Sequence, residues 1–316
     1  MKHVYLDTNV YNALCERTSN CGQLTLRHRP EEYRILLSPI NILEILQVSD
    51  KYKREGVVRL LQAICDIKLL ADVEKLIVNY VVEKHLIDEH GIYALSISDN
   101  ESELDKVWAD IKSNPSKTFI YSHDTIGQLR ILKQLESVMH VFFSRGGSFS
   151  TGIESLPSLC NITSPDIIKT FKNYISDTRQ LPPQEPRPEP WNECIWFLIT
   201  MILCVGLTPF PSGIDRLWKL LKQFTVEDRL AYAFDKMSFL CSNGPFIGMG
   251  ALMGWQVSKP HSRGNIFDCY HVSYLPYVHE FYTLDEGLLS FARSHPQSVN
   301  FSKILDASLF IDNLIS

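Results

Sequence analysis

The chain has 316 residues, enough for one large domain or two ordinary ones. Hydrophobic residues make up 45% of it and its net charge is -5, so it has material for a core but lacks the basic balance typical of a nucleic-acid-binding domain. Its eight cysteines form no CxxC pair, which excludes zinc ribbons and thioredoxin-type motifs and predicts a reduced, cytoplasmic protein.

One apolar run, residues 195–207, bears on membrane insertion. It contains 13 residues, whereas a helix that spans a bilayer needs about 20. Glu193 precedes the run and Pro209 follows it. The first residues of the chain also lack the apolar stretch of a signal peptide. We therefore predict a buried core helix at 195–207 and no contact with a membrane.

The first predicted element is a buried strand at residues 3–6, which are β-branched or aromatic. It ends at Asp7, and the sequence Asp-Thr-Asn then begins a helical pattern. Asp is a favoured residue at a helix N-cap, which is one interpretation of Asp7. A carboxylate at the carboxyl end of a strand in an open α/β sheet also lies on the edge where such folds bind ligands.

A second strand is predicted at residues 35–37, followed by a helix over 39–48 that begins at Ser38-Pro39. This helix is apolar almost all round. A buried carboxylate such as Glu44 needs a partner, which is either an Arg or Lys in a salt bridge or a metal ion. The polar residues of the helix recur at intervals of three: Asn41, Glu44 and Gln47.

Residues 51–90 and the segment that follows are predicted to be mostly helical. The basic run beside Tyr52 fits a solvated helix surface, with contact to a phosphate backbone as the alternative. Periodicity over 57–90 predicts two helices, and 91–254 reads as a helical region with a proline-rich connector at 177–190. The weak candidates for nucleic-acid contact are Lys51, Lys53, Arg54 and Arg263. His271 could also contact a phosphate, although ordinary surface is the favoured interpretation for it.

The stretch 264–293 contains two more carboxylates at helix starts. It reads as a loop, a helix that begins near Asp268, a strand at 279–284 and a second helix after Asp285. Beyond it, residues 299–301 are a candidate edge strand. Residues 304–315 are apolar at helical spacing, which predicts a helix docked on the body, with a partner-binding helix as the alternative.

Together these acids resemble the signature of PIN-domain nucleases. That signature has an Asp in a strand-ending Asp-Thr-Asn motif, a Glu on the following helical unit, a later helix-starting Asp and a final Asp in a Thr-x-Asp strand end. The sequences YLDTN and FYTLD carry the resemblance most specifically. In this chain the matching residues are Asp7, Glu44, Asp268 and Asp285.

The resemblance implies a three-layer α/β sandwich around a central, mostly parallel sheet. Residues 1–90 and 255–316 would form this discontinuous PIN-like domain, and 91–254 would be a large helical insertion. All four acids would be catalytic. Asp7, Asp268 and Asp285 would bind the metal, and Asn9 and Thr283 would donate hydrogen bonds that orient the carboxylates.

Clustered carboxylates suit hard divalent cations, so Mg²⁺ or Mn²⁺ is the expected cofactor. Like charges packed together cannot all stay ionised without a cation. A bound metal makes hydroxide available for attack on a phosphodiester and stabilises the leaving oxygen. The predicted function is a metal-dependent endonuclease, with RNA expected over DNA because RNA is the commonest substrate of the family.

Three further expectations concern the wider role. The family likeness suggests a toxin, stress or defence effector, with a protein partner or inhibitor bound through the helical insertion or the C-terminal helix. The alternative is a catalytically inactive PIN-like scaffold that binds protein or nucleic acid through the insertion. A structure-specific DNA nuclease of the flap-endonuclease type is a weaker third option, since no helical DNA-clamp motif is evident.

Overall fold

The computed structural model describes residues 2–18, 33–70, 266–295 and 300–315, together with isolated positions within 76–255. The chain divides into two compact units, residues 1–127 with 270–316, and residues 128–269. The sequence predicts boundaries near 90 and 255, whereas the units divide after residues 127 and 269. The predicted elements between 91 and 254, including the apolar run at 195–207 and the proline-rich connector, lie outside the described residues.

The first unit is built on a five-stranded sheet whose paired strands all run parallel, in the order β3-β2-β1-β4-β5. This confirms the predicted α/β class and the parallel sheet. The strands predicted at 3–6, 35–37 and 279–284 are all present, each within about two residues of its expected ends. The strands are β1 (Lys2–Leu6), β2 (Tyr33–Leu37), β3 (Cys65–Leu69), β4 (Glu280–Thr283) and β5 (Ile304–Asp306).

Six α-helices lie in the continuously described segments 2–18, 33–70, 266–295 and 300–315. None of them is long and apolar enough to cross a membrane. The second helix begins as predicted, because Ser38 and Asn41 form a reciprocal capping box and Pro39 occupies the first turn. The helices are α1 (Thr8–Arg17), α2 (Pro39–Leu46), α3 (Lys51–Ile64), α4 (Ile266–Val272), α5 (Glu286–Ser294) and α6 (Ser308–Ile315).

Two local predictions are wrong. Residues 65–69 form strand β3 where helical periodicity was expected, and the sequence Asp-Ile-Lys-Leu within it also alternates polar and apolar residues, which fits a strand equally well. The edge strand expected at 299–301 lies instead at Ile304–Asp306 as β5, in residues whose spacing predicted helix, and residues 301–303 form a 3₁₀ turn. In segments this short, pairing with a neighbouring strand determines the secondary structure. β3 pairs with β2, and β5 pairs with β4.

Both faces of the sheet are covered by apolar side chains, as an all-parallel sheet requires. Along β1, Val4 and Leu6 point into one core, which includes residues of α1, α3 and α6. Tyr5 points to the other face and packs against Tyr274 and Phe281. In the C-terminal helix α6, three residues are buried in the first core, which confirms the expected docking on the body: Phe310, Ile311 and Leu314.

The strand order places a topological switch point beside β1. From β1 the chain moves outward through β2 to β3, and later returns to the opposite side of β1 as β4 and then β5. In open α/β sheets, ligands bind at the carboxyl ends of the strands where the order reverses in this way. Asp7 follows β1 at this point, and its backbone N–H donates to the carbonyl of Tyr282 in β4 at 2.9 Å.

Candidate metal centre

Asp7 stands at the N-cap position of α1, but its side chain makes no capping hydrogen bond. Its Oδ2 instead accepts hydrogen bonds from the Thr283 hydroxyl at 2.7 Å and from the Asn9 amide at 2.8 Å. The plain capping interpretation of Asp7 is therefore wrong. Asn9 and Thr283 are the two donors that the sequence proposes for orienting this carboxylate, and both contact it.

The environment of Asp7 disfavours its ionised form. The residue is 5% exposed, and burial is the largest cause that raises the pKa of its carboxyl group above the ordinary value. Glu44 nearby raises this pKa further, while His271 and the hydrogen bond from Thr283 lower it. An ionised Asp7 thus calls for positive charge beside it.

Glu44 reaches the same place from α2. Its side chain is 19% exposed, and it accepts a hydrogen bond from the Thr8 hydroxyl through Oε2. The same oxygen lies 2.8 Å from Nε2 of His271. Within the described residues the side chain that faces this carboxylate is therefore a histidine, and no Arg or Lys forms a salt bridge with it there.

His271 is the site residue that sequence reasoning missed, because it was read as surface. Its ring is fully buried, and Nε2 lies 2.8 Å from Glu44 Oε2 and 3.7 Å from Asp7 Oδ1. Its Nδ1 lies 2.6 Å from the Tyr5 hydroxyl. One signal in the sequence could have indicated it. His271 lies three positions after Asp268, a predicted site residue, and residues at this spacing on a helix share a face.

Three potential ligand atoms thus converge, one each from Asp7, Glu44 and His271, and all lie within 4.8 Å of one another. Neighbouring ligands of an octahedral ion with bonds near 2.1 Å lie about 3 Å apart. Nε2 of His271 lies 2.8 Å from the Glu44 oxygen and 3.7 Å from the Asp7 oxygen, which brackets that value. Two carboxylates and an imidazole are a donor set that divalent transition metals accept, so the residues present fit a divalent cation.

The other two predicted acids are placed differently. Asp285 caps α5, since its Oδ1 accepts from the Leu288 backbone N–H at 2.8 Å. It is joined to Asp7 through one side chain, because the Thr283 hydroxyl that donates to Asp7 also accepts from the Asp285 backbone N–H at 2.9 Å. Asp268 lies in the first turn of α4 and is half-buried. Neither acid belongs to the group of three found in the described residues.

The basic run is only partly available to a nucleic acid. Arg54 is 3% exposed and donates to the carbonyl of Val48 at 2.7 Å, so little of its side chain is available for the expected contact with phosphate. Lys53 forms an ion pair with Glu16 at 2.6 Å. Arg263 lies outside the described residues. Of the predicted contacts, Lys51 and Lys53 remain at the surface.

Comparison of the chain with models of known protein families, with curated proteins and with solved structures found no match. The likeness to PIN-domain nucleases therefore rests on the residues of this chain. Two of the four acids in that likeness, Asp7 and Glu44, lie together in the first unit, at the switch point of a parallel sheet.

Proposed function

We propose that this protein is a divalent-metal-dependent, PIN-like endonuclease that hydrolyses phosphodiester bonds, with RNA as the preferred substrate and Mg²⁺ or Mn²⁺ as the cofactor. One observation carries the proposal: ligand atoms of Asp7, Glu44 and His271 lie within 4.8 Å of one another. They meet at the carboxyl end of β1, the edge where open α/β sheets bind their ligands. The arrangement brings together residues that are far apart in the chain.

The residues divide into those that hold the cation and those that hold its ligands. Asp7 and Glu44 supply charged oxygens, and Asn9 and Thr283 fix the orientation of Asp7. When bound, a divalent cation there supplies charge stabilisation to the oxygens of a phosphodiester undergoing displacement. Asp268 and Asp285 are proposed as further acids of the catalytic edge, as the PIN-like pattern implies.

The wider role is proposed from the same likeness. A toxin, stress or defence effector would use the residues between 91 and 254 to grip substrate or to bind an inhibitor. Lys51 and Lys53 are the proposed surface contacts for the backbone of the nucleic acid, since both lie at the start of α3. RNA is preferred over DNA on the family pattern alone.

The test is a titration of Mn²⁺ and Mg²⁺ against single-stranded RNA and single-stranded DNA of the same sequence. Wild type should cleave RNA with either metal and should be inactive with a chelator. Asp7→Asn and Glu44→Gln should lower cleavage by roughly 10³-fold, because each removes a charged ligand. Asp312→Asn is the matched control, since Asp312 lies exposed on α6 in an ion pair with Arg17. Equal cleavage by all variants would refute the proposal.

One observation favours the inactive scaffold as a second candidate. Nε2 of His271 lies 2.8 Å from Glu44, so an imidazolium there would offset one of the two carboxylate charges without any metal. A scaffold of that kind would bind protein or nucleic acid through the residues between 91 and 254. The two candidates differ in one cheap measurement, because a protein that binds a cation in its native state melts at a higher temperature when the cation is added.

A further inference from the structure

A chain of buried hydrogen bonds leads to the histidine of the metal centre from its far side. It begins at Asn41, whose amide orientation is fixed by two backbone groups. Asn41 Oδ1 accepts from the Ser38 backbone N–H at 3.1 Å, and its Nδ2 donates to the carbonyl of Leu6 at 3.1 Å. The amide oxygen of Asn41 therefore faces Ser38, and the amide nitrogen faces β1.

The direction of the next two hydrogen bonds follows from proton counting. Ser38 Oγ lies 3.0 Å from Asn41 Oδ1, which only accepts, so the single hydroxyl proton of Ser38 is used there. The Tyr5 hydroxyl, 2.6 Å from Ser38 Oγ, must then be the donor of that pair. With its proton used, the Tyr5 oxygen accepts from His271 Nδ1 at 2.6 Å. Nδ1 of His271 therefore carries a proton.

This assignment decides what a neutral His271 presents to the carboxylates. In a neutral ring protonated at Nδ1, the other nitrogen carries a lone pair. That lone pair lies 2.8 Å from Oε2 of Glu44, which already accepts from the Thr8 hydroxyl. Thr8 in turn accepts from Asn41 Nδ2 at 3.1 Å, so its own proton is committed to Glu44. Two electron-rich atoms thus face each other unless a cation or a further proton lies between them.

We propose that His271 is a nitrogen ligand of the metal centre through Nε2, held in this tautomer by the directed chain from Asn41 through Ser38 and Tyr5, and that the centre consequently prefers Mn²⁺ to Mg²⁺. The proposal rests on the metal site of the proposed function and names which metal it selects. Ser38 and Tyr5 are positioning residues, because they act through the ring of His271.

The selectivity follows from ligand chemistry. Carboxylate and water oxygens suit Mg²⁺ and Mn²⁺ alike, whereas imidazole nitrogen suits transition metals and is a poor partner for Mg²⁺. A ligand histidine commonly donates its other ring N–H to a fixed acceptor, which sets the ring orientation and raises the basicity of the ligand. Tyr5 is such an acceptor here, and it is fully buried between Tyr274 and Phe281.

The decisive experiment measures metal binding without any substrate. Mn²⁺ is titrated into the full chain and followed by electron paramagnetic resonance, with pulsed measurements to detect magnetic coupling to a ¹⁴N nucleus. Wild type should bind one Mn²⁺ tightly and should show imidazole nitrogen coupling. Competition with Mg²⁺ then gives the ratio of the two dissociation constants, which should favour Mn²⁺.

Two matched pairs of variants locate the effect. His271→Gln should lose the nitrogen coupling and should lose more affinity for Mn²⁺ than for Mg²⁺, so the ratio falls. His295→Gln is its control, because His295 lies at the end of α5 and contacts Ser294; it should bind as wild type does. Circular dichroism verifies that each variant is folded.

Tyr5→Phe removes only the hydroxyl that accepts from Nδ1 while keeping the ring packed. Loss of such a supporting contact costs roughly 10- to 100-fold in metal affinity, and the loss should be larger for Mn²⁺ than for Mg²⁺. Tyr282→Phe makes the same chemical change on β4, where the hydroxyl contacts Glu280. This control should leave the ratio unchanged, since a purely structural effect would not alter selectivity.

The outcomes separate this proposal from the proposed function. Mn²⁺ bound without ¹⁴N coupling overturns the histidine ligand and leaves a carboxylate nuclease intact. No binding of Mn²⁺ by wild type overturns both and favours the scaffold, with His271 as an imidazolium. Nitrogen coupling that persists in His271→Gln also overturns the assignment. Coupling without nuclease activity supports the ligand and refutes only the enzyme.

Discussion

Asp7 at the β1–α1 junction and Asp285 at the β4–α5 junction occupy the same kind of position, each at the N-cap of a helix that follows a parallel strand. Asp285 caps its helix through the Leu288 backbone N–H. Asp7 does not, because Asn9 and Thr283 donate to its Oδ2. A helix-starting aspartate is therefore a cap only where the first helical turn provides its strongest donors.

The two junctions are also coupled. The Thr283 hydroxyl donates to Asp7 and accepts from the Asp285 backbone N–H. Asn9 adds a second connection, since its Oδ1 accepts from the backbone N–H of Leu284 at 3.1 Å. The last residues of β4 thus hold the carboxylate that follows β1, and the difference between the junctions is testable by substitution.

The largest expected effect concerns catalysis. Asp7→Asn should lower metal-dependent cleavage of RNA by roughly 10³-fold, because it removes a charged ligand that contributes several kcal/mol. Asp285→Asn should lower it less, since Asn caps a helix about as well as Asp and Asp285 lies outside the group of three in the described residues. Single-turnover rates at saturating Mn²⁺ measure both. Equal losses would make Asp285 a ligand of the same rank as Asp7.

The link between the junctions should have the next largest effect. Thr283→Val keeps the shape of a fully buried side chain but removes the donor to Asp7 and the acceptor for Asp285. We expect a loss of about 2 kcal/mol in the free energy of unfolding, since buried polar groups lose their partner. Urea unfolding measures it. Thr18→Val, at the end of α1, is the control and should cost clearly less.

A smaller effect is expected at the cap of α5. A Cβ at Gly287 would lie 2.7 Å from Asp285 Oδ1, so Gly287→Ala should displace the capping carboxylate and cost about 1 kcal/mol. In an Asp285→Ala background the same change should instead stabilise by about 0.5 kcal/mol, because alanine is the better helix former. Thermal unfolding of the four proteins gives this cycle. Additive effects would show that Gly287 does not act through the cap.

The smallest effect is the pH dependence of stability without metal. Burial raises the pKa of the Asp7 carboxyl group, so the folded chain binds this proton more tightly than the unfolded chain does. The resulting stability is fully present below the unfolded pKa, near 3.8, and is lost as pH rises through the higher folded pKa.

Asp7→Asn lacks this titration. With a chelator present, wild type should therefore lose stability relative to Asp7→Asn, on the order of 1 kcal/mol, as pH rises from about 4 to about 8. With saturating Mn²⁺, wild type should be more stable than Asp7→Asn, because the cation binds only the charged site. Unfolding free energies across the pH range measure both. If the difference in unfolding free energy between the two proteins does not vary with pH, burial of Asp7 is not its cause.

Much of the fold was predictable because its signals are local. The apolar run at 3–6, the Ser38-Pro39 helix start and the strand before Asp285 each carry their own pattern, and each element is present. The strand β3 was not predicted, because a five-residue segment carries too little periodicity to separate strand from helix. Its parallel pairing with β2 is a tertiary contact.

In the candidate site, too, some residues were predictable from sequence and others were not. The sequence by itself indicated Asp7, Glu44 and the orienting donors Asn9 and Thr283, because motifs and their order along the chain can be recognised without a structure. Only the tertiary structure revealed His271, because its burial and its 2.8 Å approach to Glu44 depend on α4 packing beside Tyr5. Which aspartate caps a helix and which lies beside Glu44 and His271 was likewise decided by contacts with distant segments. Local sequence specifies the residues available, and the packing of distant segments determines the partners of each.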